Sequence, residues 1–329
     1  MVKYVFKKVV LCRVLMMGLC SILISGTVAF TQAAEGRSSV IMPLAYRSLL
    51  LDVAFAGPAR LVAVGERGHI LISDDKGKTW QQVVTPTQST LTSVFFLDEK
   101  NGWVAGHDTV ILVTKDGGKT WNKQFYDPAK GQPIMDICFK DFSLGIAIGA
   151  YGLYLETRDG GTTWQEKYFE SLDDPDFGLV HFNAITISDD GMFFMAGEAG
   201  FLARSYDSGE TWEPLERIYP GSYFTALATQ KGSIIIGGLR GNAFRSTDKG
   251  DTWERIETNT LAILNDCVQA KDGSIVISGL GSTLLISNDD GESYIPIKRP
   301  DRISIAATAI LEKGVLVIVG EGGVRQLTY

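Results

Sequence analysis

The chain has 329 residues, of which 45% are hydrophobic and 21% are charged, and its 31 basic and 38 acidic residues give a formal net charge of −7. An acidic balance argues against a nucleic-acid-binding protein, which normally carries a basic face. Only one apolar stretch approaches membrane-spanning length, which excludes a multi-span membrane protein, and the content of aliphatic and aromatic residues excludes a largely disordered chain.

The first 34 residues have the pattern of an export signal. Four basic residues, the last of them Arg13, precede an apolar stretch from Val14 to Phe30, and the small residues Ala33 and Ala34 follow. A basic start, an apolar middle and a small-residue end predict a secretory signal peptide over residues 1–34, with an uncleaved membrane anchor as the alternative.

Removal of this segment would leave 27 basic and 38 acidic residues, because it contains four basic residues and no acidic one. The sequence therefore predicts an exported, acidic, periplasmic protein that is not inserted in the membrane after cleavage and is a monomer. Lipid attachment is disfavoured because Leu11 and Leu19, which precede Cys12 and Cys20, are too large for a lipoprotein cleavage site.

Two cysteines remain after the signal, Cys138 and Cys267. They lie in different repeats at adjacent rather than equivalent repeat positions, so their side chains should face opposite sides of their strands. We expect two buried unpaired thiols, with a disulfide as the alternative. No metal or cofactor is expected, since neither cysteine has a ligand-type neighbour and the three histidines match no ligand spacing.

One eight-residue motif, Ser/Thr-x-Asp-x-Gly-x-Thr-Trp, returns six times along the chain. Its aspartates are separated by steps of 41, 43, 48, 41 and 41 residues, and its sixth copy ends in Ser-Tyr instead of Thr-Trp. The motif aspartates and tryptophans are Asp75 and Trp80, Asp116 and Trp121, Asp159 and Trp164, Asp207 and Trp212, Asp248 and Trp253, and Asp289.

A glycine lies ten residues before each of these aspartates, at the end of a short apolar run such as Leu61–Val64. A seventh copy of this run, Val317–Gly320, occurs near residue 329 without its Asp motif. Short apolar runs broken by glycine-containing turns predict antiparallel strands. Each repeat then supplies four strands, with the Asp motif in the turn between the third and the fourth.

Four strands in 41 to 48 residues are typical of a β-propeller blade. About 295 residues after the signal correspond to roughly seven such units, so residues 35–329 are predicted to form one all-β, seven-bladed propeller of four-stranded antiparallel blades. The seventh repeat lacks its fourth strand, and the run Ser39–Pro43 resembles one. We therefore expect this N-terminal strand to pair with the last blade and close the ring.

The Asp motif is interpreted as structural. Its aspartate and hydroxyl groups suit hydrogen bonding within a turn, its glycine suits a strained backbone, and its tryptophan covers apolar surface. A ring would hold the six aspartates apart, whereas carboxylate catalysis needs two groups within about 5 to 9.5 Å.

The motif is similar to the Asp box, or BNR repeat, of sialidases and other secreted propellers. The whole set, with turns such as Val64-Gly65-Glu66-Arg67-Gly68, resembles the photosystem II stability/assembly factor family and its relatives in non-photosynthetic bacteria, over about residues 36–329. This resemblance implies a non-catalytic seven-bladed propeller that binds membrane-protein assembly intermediates. It also implies a basic patch, from which this acidic chain departs.

The resulting prediction is an exported, non-enzymatic scaffold or accessory factor for a membrane protein complex, with a transporter as one candidate client. Two alternatives remain open: a sialidase-like glycoside hydrolase and a propeller that binds a carbohydrate or small ligand in its channel. For the hydrolase, the nearest match to an Arg-Ile-Pro segment is the interrupted Arg217–Pro220, and Tyr46, Arg47 and Tyr223 are the remaining candidates.

In an up-and-down blade, the turns between the second and third strands and the linkers between blades emerge on one face. Aromatic residues and arginine favour protein interfaces, so this face is the predicted partner-binding surface. Its candidate residues are Glu66, Arg67, His107, Tyr126, Tyr151, Phe169, Glu198, Tyr223, Arg240 and Glu321. The longest repeat step contains the acidic segment Glu170–Phe177, either a solvated insertion or a contact for a basic partner.

Overall fold

The computed structural model describes residues 37–297 and 299–329. The predicted signal peptide over residues 1–34 lies outside the described residues. Within the described ranges, no helix has the length and hydrophobicity needed to span a membrane.

The described residues form seven antiparallel sheets arranged as successive blades, and blades 1 to 3 each contain four strands in sequence order. Blade 1 consists of β1 (Leu50–Phe55), β2 (Leu61–Gly65), β3 (Ile70–Ser73) and β4 (Gln81–Val83). Blade 2 consists of β5 (Leu91–Phe96), β6 (Gly102–Gly106), β7 (Ile111–Thr114) and β8 (Asn122–Phe125). Blade 3 consists of β9 (Ile134–Phe139), β10 (Gly145–Gly149), β11 (Tyr154–Thr157) and β12 (Gln165–Glu166).

Blades 4 to 6 repeat this arrangement, and the last blade has three strands. Blade 4 consists of β13 (Phe182–Ile187), β14 (Phe193–Gly197), β15 (Leu202–Ser205) and β16 (Glu213–Pro214). Blade 5 consists of β17 (Tyr223–Ala228), β18 (Ile234–Gly238), β19 (Ala243–Ser246) and β20 (Glu254–Ile256). Blade 6 consists of β21 (Leu264–Gln269), β22 (Ile275–Gly279), β23 (Leu284–Ser287) and β24 (Ile295–Pro296). Blade 7 consists of β25 (Ile305–Glu312), β26 (Val315–Gly320) and β27 (Arg325–Thr328).

Nine three-residue 3-10 turns complete the regular elements of the described residues. They are Ala45–Arg47, Glu66–Gly68, His107–Thr109, Pro128–Lys130, Ala150–Gly152, Glu170–Leu172, Glu198–Gly200, Leu239–Gly241 and Leu280–Ser282. The innermost strands of successive blades contact one another around a complete ring, from β1 through β25 and back to β1. The predicted all-β, seven-bladed propeller is confirmed.

The predicted closure of the ring by an N-terminal strand is not confirmed. Residues 39–43 form no strand and instead lie against blade 1, where the Ser39 N–H donates to the Thr85 carbonyl at 2.9 Å and the Met42 N–H to the Gln82 side chain at 2.7 Å. The following residues form the 3-10 turn Ala45–Arg47, whose buried Ala45 packs between blades 7 and 1. Local i to i+3 bonds thus occupy the backbone that would have to extend along blade 7.

Apolar packing between neighbouring blades closes the ring. In β2, Val62 and Val64 pack into the cluster between blades 1 and 2, whereas Leu61 and Ala63 pack into the cluster between blades 7 and 1. Successive side chains of a strand point to opposite faces, so a strand covered on both sides must be apolar at every position. This explains the uninterrupted apolar runs that precede the repeated glycines.

Each Asp-box aromatic packs against the preceding blade. Trp121 lies in the cluster between blades 1 and 2, Trp164 in the one between blades 2 and 3, and Trp212 in the one between blades 3 and 4. Trp253, Tyr294 and Trp80 do the same at the next junctions and between blades 7 and 1. The cluster between blades 6 and 7 contains no Asp-box aromatic; Ile297, Leu327 and Tyr329 pack there half-buried.

Within each box the aspartate holds the turn. In blade 2, Asp116 Oδ1 accepts hydrogen bonds from the Thr114 hydroxyl at 2.8 Å and the Thr120 N–H at 2.9 Å, and Oδ2 accepts from the Thr120 hydroxyl at 2.6 Å. The Thr114 hydroxyl oxygen in turn accepts from the Gly118 N–H at 2.9 Å. Partial burial acts to raise the pKa of Asp116, but these donors outweigh it and hold the pKa below its usual value.

The two cysteines are free and buried, in agreement with the expectation of unpaired thiols. Cys138 packs between blades 3 and 4, and Cys267 packs between blades 5 and 6, so they face opposite sides of their blades. Burial raises the pKa of both thiols.

Substitution Asp116→Ala should destabilise the fold by about 1–3 kcal/mol, because it leaves the turn donors without their acceptor. Urea unfolding at pH 7 measures this difference. Because the folded-state pKa is lowered, the stabilisation is complete above about pH 4 and is lost as the pH falls further. The gap between wild type and variant should therefore shrink on acidification. The matched control is Lys115→Ala in the same turn; an equal loss there would contradict the role of Asp116.

Candidate functional site

Short turns and interblade linkers form one face of the propeller, called here the linker face. After each second strand the chain makes a tight turn, and the N–H of the first turn residue donates to the carbonyl that precedes the innermost strand, as from Glu66 to Leu49 at 3.0 Å. A Cβ on Gly65 would lie 2.2 Å from that carbonyl oxygen. Glycine therefore recurs at this position because of close backbone approach.

The middle residue of these turns has a left-handed backbone in six blades. Arg67, Tyr151 and Arg240 occupy this position with φ of 57°, 56° and 55°, and their side chains are exposed. Such a conformation costs a residue with a Cβ on the order of 1 kcal/mol, which glycine avoids. Large side chains at these positions are thus held outward by a rigid but unfavourable backbone.

Most of the predicted partner-binding residues lie on this face at separate places around the ring. Exposed positions are Arg67, His107, Tyr151, Arg240 and Glu321. Half-buried positions are Glu66, Tyr126, Phe169 and Glu198. Phe169 packs edge to face on buried Tyr154 with ring centroids 5.1 Å apart, and Tyr126 packs against the cluster between blades 1 and 2.

Tyr223 is a correction to the predicted set. Its side chain is fully buried, in the cluster between blades 4 and 5, with Tyr219 and Phe244 as aromatic neighbours. Tyr223 is the first residue of β17, and the inward direction of that position in the blade removes it from the surface. It is unavailable to a partner.

Two of the predicted residues are brought together by a third that the prediction omitted. His181, in the linker before β13, contacts the Tyr151 ring edge to face with centroids 4.6 Å apart. The Glu198 carboxylate accepts the His181 N–H at 3.2 Å and lies 3.8 Å from the imidazole Nδ1. The linker thereby connects the turns of blades 3 and 4.

The largest exposed apolar group on this face surrounds that contact. Tyr151, Tyr168, Phe177 and Leu179, called here the blade 3–4 patch, are exposed to 57%, 65%, 65% and 49%. Leu179 lies against the turn that carries Tyr151, since a Cβ on Gly152 would be 2.8 Å from its side chain. Contiguous apolar surface on a soluble protein is typical of interaction sites.

The segment that presents the patch is held in place by Asp174. Its carboxylate is buried, accepts the N–H groups of Asp176 and Phe177 at 2.8 and 3.0 Å, and forms an ion pair with Arg217. Burial acts to raise the pKa of Asp174, but these partners outweigh it and lower the pKa. Arg217 also lies over the Phe177 ring, 5.7 Å from its centroid. The longer repeat step containing this segment was the sequence feature that marked it.

A ring of equivalent positions on the innermost strands lines the centre of the propeller. These positions are Asp52, Ser93, Asp136, Ala184, Thr225, Asp266 and Ala307. The first three line a cavity of about 430 Å³. The sequence analysis missed the three aspartates because their strands read only as apolar runs.

Each of these aspartates bridges two blades. The carboxylate of Asp52 accepts the Val94 N–H of the next blade at 2.7 Å, and Asp136 accepts the Ile185 N–H at 2.9 Å. Asp266 likewise accepts the Thr308 N–H at 2.7 Å.

Because the carboxylates lie in a narrow, poorly solvated channel, desolvation raises their pKa. The pKa is about 7 for Asp52, about 6 for Asp136 and about 8 for Asp266, whose pKa is raised further by the charges of the other two.

The residues considered for glycoside hydrolysis have different surroundings. Arg217 pairs with Asp174, Tyr223 is buried, and Tyr46 and Arg47 lie in the 3-10 turn before β1. Among residues 37–297 and 299–329, no group of three or more His, Cys, Asp or Glu side chains is placed to hold a metal ion.

A family model described as photosynthesis system II assembly factor YCF48 matches residues 30–134 and 126–328. The chain belongs to this family. Among family relatives, a photosystem II assembly lipoprotein Ycf48 of Prochlorococcus marinus (strain MIT 9312) is 33% identical over 135 residues, which are 40% of this chain and 38% of the relative. The chloroplastic photosystem II stability/assembly factor HCF136 of Cyanidioschyzon merolae is 30% identical over 103 residues, which are 30% of this chain and 23% of the relative. These matches span well under half of each relative's length.

A solved structure described as YCF48 bound to D1 peptide superposes with a TM-score of 0.68 at 20% identity, covering 89% of this chain and 96% of that one. At this identity the similarity supports the shared propeller fold. The family membership comes from the sequence match, and it agrees with the resemblance seen in the repeated turns.

The central aspartates should make the protein less stable at high pH. Because their folded-state pKa is raised, protonation favours the folded state; this stabilisation is complete below about pH 4 and is lost as the pH rises through 6 to 8. Urea unfolding at pH 5 and pH 9 should show a loss on the order of 1 kcal/mol or more, smaller in Asp266→Asn. Asp272→Asn is the control, since hydrogen bonds from Ser274 lower the pKa of that exposed carboxylate and it stays ionised throughout. Equal pH dependence in the two variants would contradict the assignment.

Proposed function

We propose that this chain is a non-catalytic, protein-binding propeller that acts as an accessory or assembly factor for a membrane protein complex, and that its blade 3–4 patch is the contact surface. The observation that carries this proposal is the exposed group Tyr151, Tyr168, Phe177 and Leu179, presented by an ordered segment. Aromatic side chains of this kind supply much of the binding energy in protein interfaces.

The order of the segment favours binding over simple solvent exposure. Asp174 and Gly178 pair through two backbone hydrogen bonds of 2.9 and 2.8 Å, and Arg217 fixes the same carboxylate from blade 4. The Tyr168 hydroxyl donates to Asp173 at 2.5 Å, and this bond raises the pKa of Tyr168. A partner therefore meets preorganised side chains, and less entropy is lost on binding.

The charges around the patch define the class of partner. Glu170 and Asp176 are exposed beside it, and Arg217, the cation in contact with its side chains, is already paired with Asp174 and Asp176. A segment with apolar and basic residues complements this surface. The family names point to photosystem II, and the YCF48 of the solved structure is bound to a D1 peptide. For this acidic chain we propose a membrane-complex subunit with a basic, apolar segment.

Export follows from the same proposal. A relative is named an assembly lipoprotein, which supports action outside the cytoplasm. In this chain a signal peptide over residues 1–34 would provide the route, and the propeller would meet the exported segment of its client as a soluble monomer.

A photo-crosslinking amino acid at position 177 should capture one membrane-complex subunit in intact cells. The same group at Phe142, which is similarly exposed at 59% but lies between β9 and β10 on the opposite face, is the matched control. The double variant Phe177→Ser/Leu179→Ser should lower co-purification of that subunit about tenfold, because a central apolar anchor contributes on the order of 2 kcal/mol. Its unfolding midpoint should remain that of the wild type, since both side chains are largely exposed.

Two outcomes would overturn the proposal. One is equal capture from positions 142 and 177. The other is unchanged co-purification with the folded double variant. Specific capture that also fails with Asp176→Lys would support the expected basic partner.

A further inference from the structure

The outer edge of β27 differs from every other third strand of the propeller. In blade 1 all four residues of β3 are buried beneath the fourth strand, whereas Arg325, Gln326 and Thr328 of β27 are exposed. Within the described residues no strand lies beside this edge. We infer that the edge binds an extended segment of a partner protein as a fourth strand, with an aromatic residue opposite Leu327 and an acidic residue opposite Arg325.

Backbone direction decides which groups are available to such a segment. The Tyr329 N–H donates to the Gly314 carbonyl next to β26, so the odd-numbered residues of this stretch pair inward. In an antiparallel strand the alternate residues then point the other way. The N–H and C=O groups of Gln326 therefore face outward, with those of Thr328. The Val324 N–H also faces outward, but it already donates to the Tyr46 carbonyl at 2.9 Å.

The other blades show how this position is normally paired. In blade 3, Glu156 of β11 is paired with Gln165 of β12, and the Lys167 N–H donates to the Tyr154 carbonyl at 3.0 Å. By register from the glycine that ends the second strand, Gln326 occupies the place of Glu156 and Val324 the place of Tyr154. The partner residue opposite Gln326 therefore corresponds to Gln165.

An aromatic residue is favoured because the cluster between blades 6 and 7 contains no Asp-box aromatic. At each of the other six junctions a tryptophan or tyrosine, placed just before the fourth strand, covers the apolar cluster with the preceding blade. Here Ile297, Leu327 and Tyr329 remain half-buried at the corresponding place. An aromatic side chain opposite Leu327 would pack on these three residues and remove more apolar surface from water.

An acidic residue is favoured by Arg325, which lies on the same side of the strand two residues earlier. Its side chain is 45% exposed and 3.8 Å from Asp301, which is closer, at 2.6 Å, to Arg299. The chain contains a precedent in blade 4, where Arg204 faces Glu213 directly across the third and fourth strands with contacts of 2.9 and 3.2 Å. The preferred segment is thus aromatic-x-acidic in extended form.

The chain's own N-terminal residues are the competing occupant. They approach the edge only through Tyr46, because the 3-10 turn at Ala45–Arg47 directs the backbone away and residues 39–42 are bonded to blade 1. The edge beyond Val324 is therefore open. This surface is separate from the blade 3–4 patch, so the inference does not depend on the proposed function.

A peptide with the sequence of residues 161–168, which contains Trp164 and Glu166 at the required spacing, provides the probe. Fluorescence anisotropy of the labelled peptide with the purified protein should give a Kd on the order of 100 μM or tighter, typical of a short added strand. N-methylation at the Gln165 position, whose N–H should donate to Gln326, should weaken binding at least about tenfold. N-methylation at the Glu166 position, whose N–H points away from the edge, is the matched control and should change it little.

Side-chain substitutions test the chemistry independently of the backbone. Trp164→Ala in the peptide should weaken binding, and Arg325→Ala in the protein should weaken the wild-type peptide more than a Glu166→Gln peptide. Equal binding of the two N-methylated peptides, or no binding at 1 mM, would overturn the inference. So would a disulfide forming readily between Cys residues introduced at Leu44 and Gln326, because it would show that the chain's own segment pairs with this edge.

Discussion

Burial of both faces of each blade between two neighbours is the constraint on which the rest of the structure depends. A single four-stranded blade cannot cover its own apolar surfaces, and the side chains of β2 alternate between the clusters on its two sides. Each cluster needs residues from both blades, so the blades stabilise one another in a closed series. The ring closes through packing of Val317 and Val319 of blade 7 against Leu61 and Ala63 of blade 1.

This mode of stabilisation leaves the turns and outer edges free for function. The linkers are tied to the neighbouring turn by backbone hydrogen bonds, as from Gly152 to Val180 at 2.8 Å, so even the longest one is ordered. Side chains placed on such a linker are rigid without contributing much to the core. The blade 3–4 patch and the edge of β27 both lie at places where the regular repeat changes, by insertion in one case and by a missing strand in the other.

The centre of the ring shows the opposite balance. The three aspartates there join neighbouring blades through backbone N–H groups, but their carboxylates lie in a confined channel that disfavours charge. Ser93 and Ala184 occupy equivalent positions without a carboxylate, so the fold does not require acidic residues at this level. The aspartates therefore couple the stability of the blade junctions to pH.

The repeat spacing was sufficient to predict the propeller, the number of blades and the placement of the Asp boxes, because each feature depends on residues close together in sequence. The same local reasoning identified Tyr151, Glu198 and the long acidic segment as surface features. It was wrong about Tyr223, since the direction of a side chain at the start of an inner strand depends on the neighbouring blade.

The sequence by itself determined that this protein repeats one four-stranded unit, since the period of its apolar runs and glycines is local. Only the tertiary structure decided which aromatics are covered, how Asp52, Asp136 and Asp266 come to share one channel, and where residues 39–43 lie. These outcomes depend on contacts between segments more than 40 residues apart. The segment 39–43 was expected on blade 7 because its pattern suits a strand. It lies on blade 1 because hydrogen bonds to Gln82 and Thr85, and the packing of Ala45, hold it there.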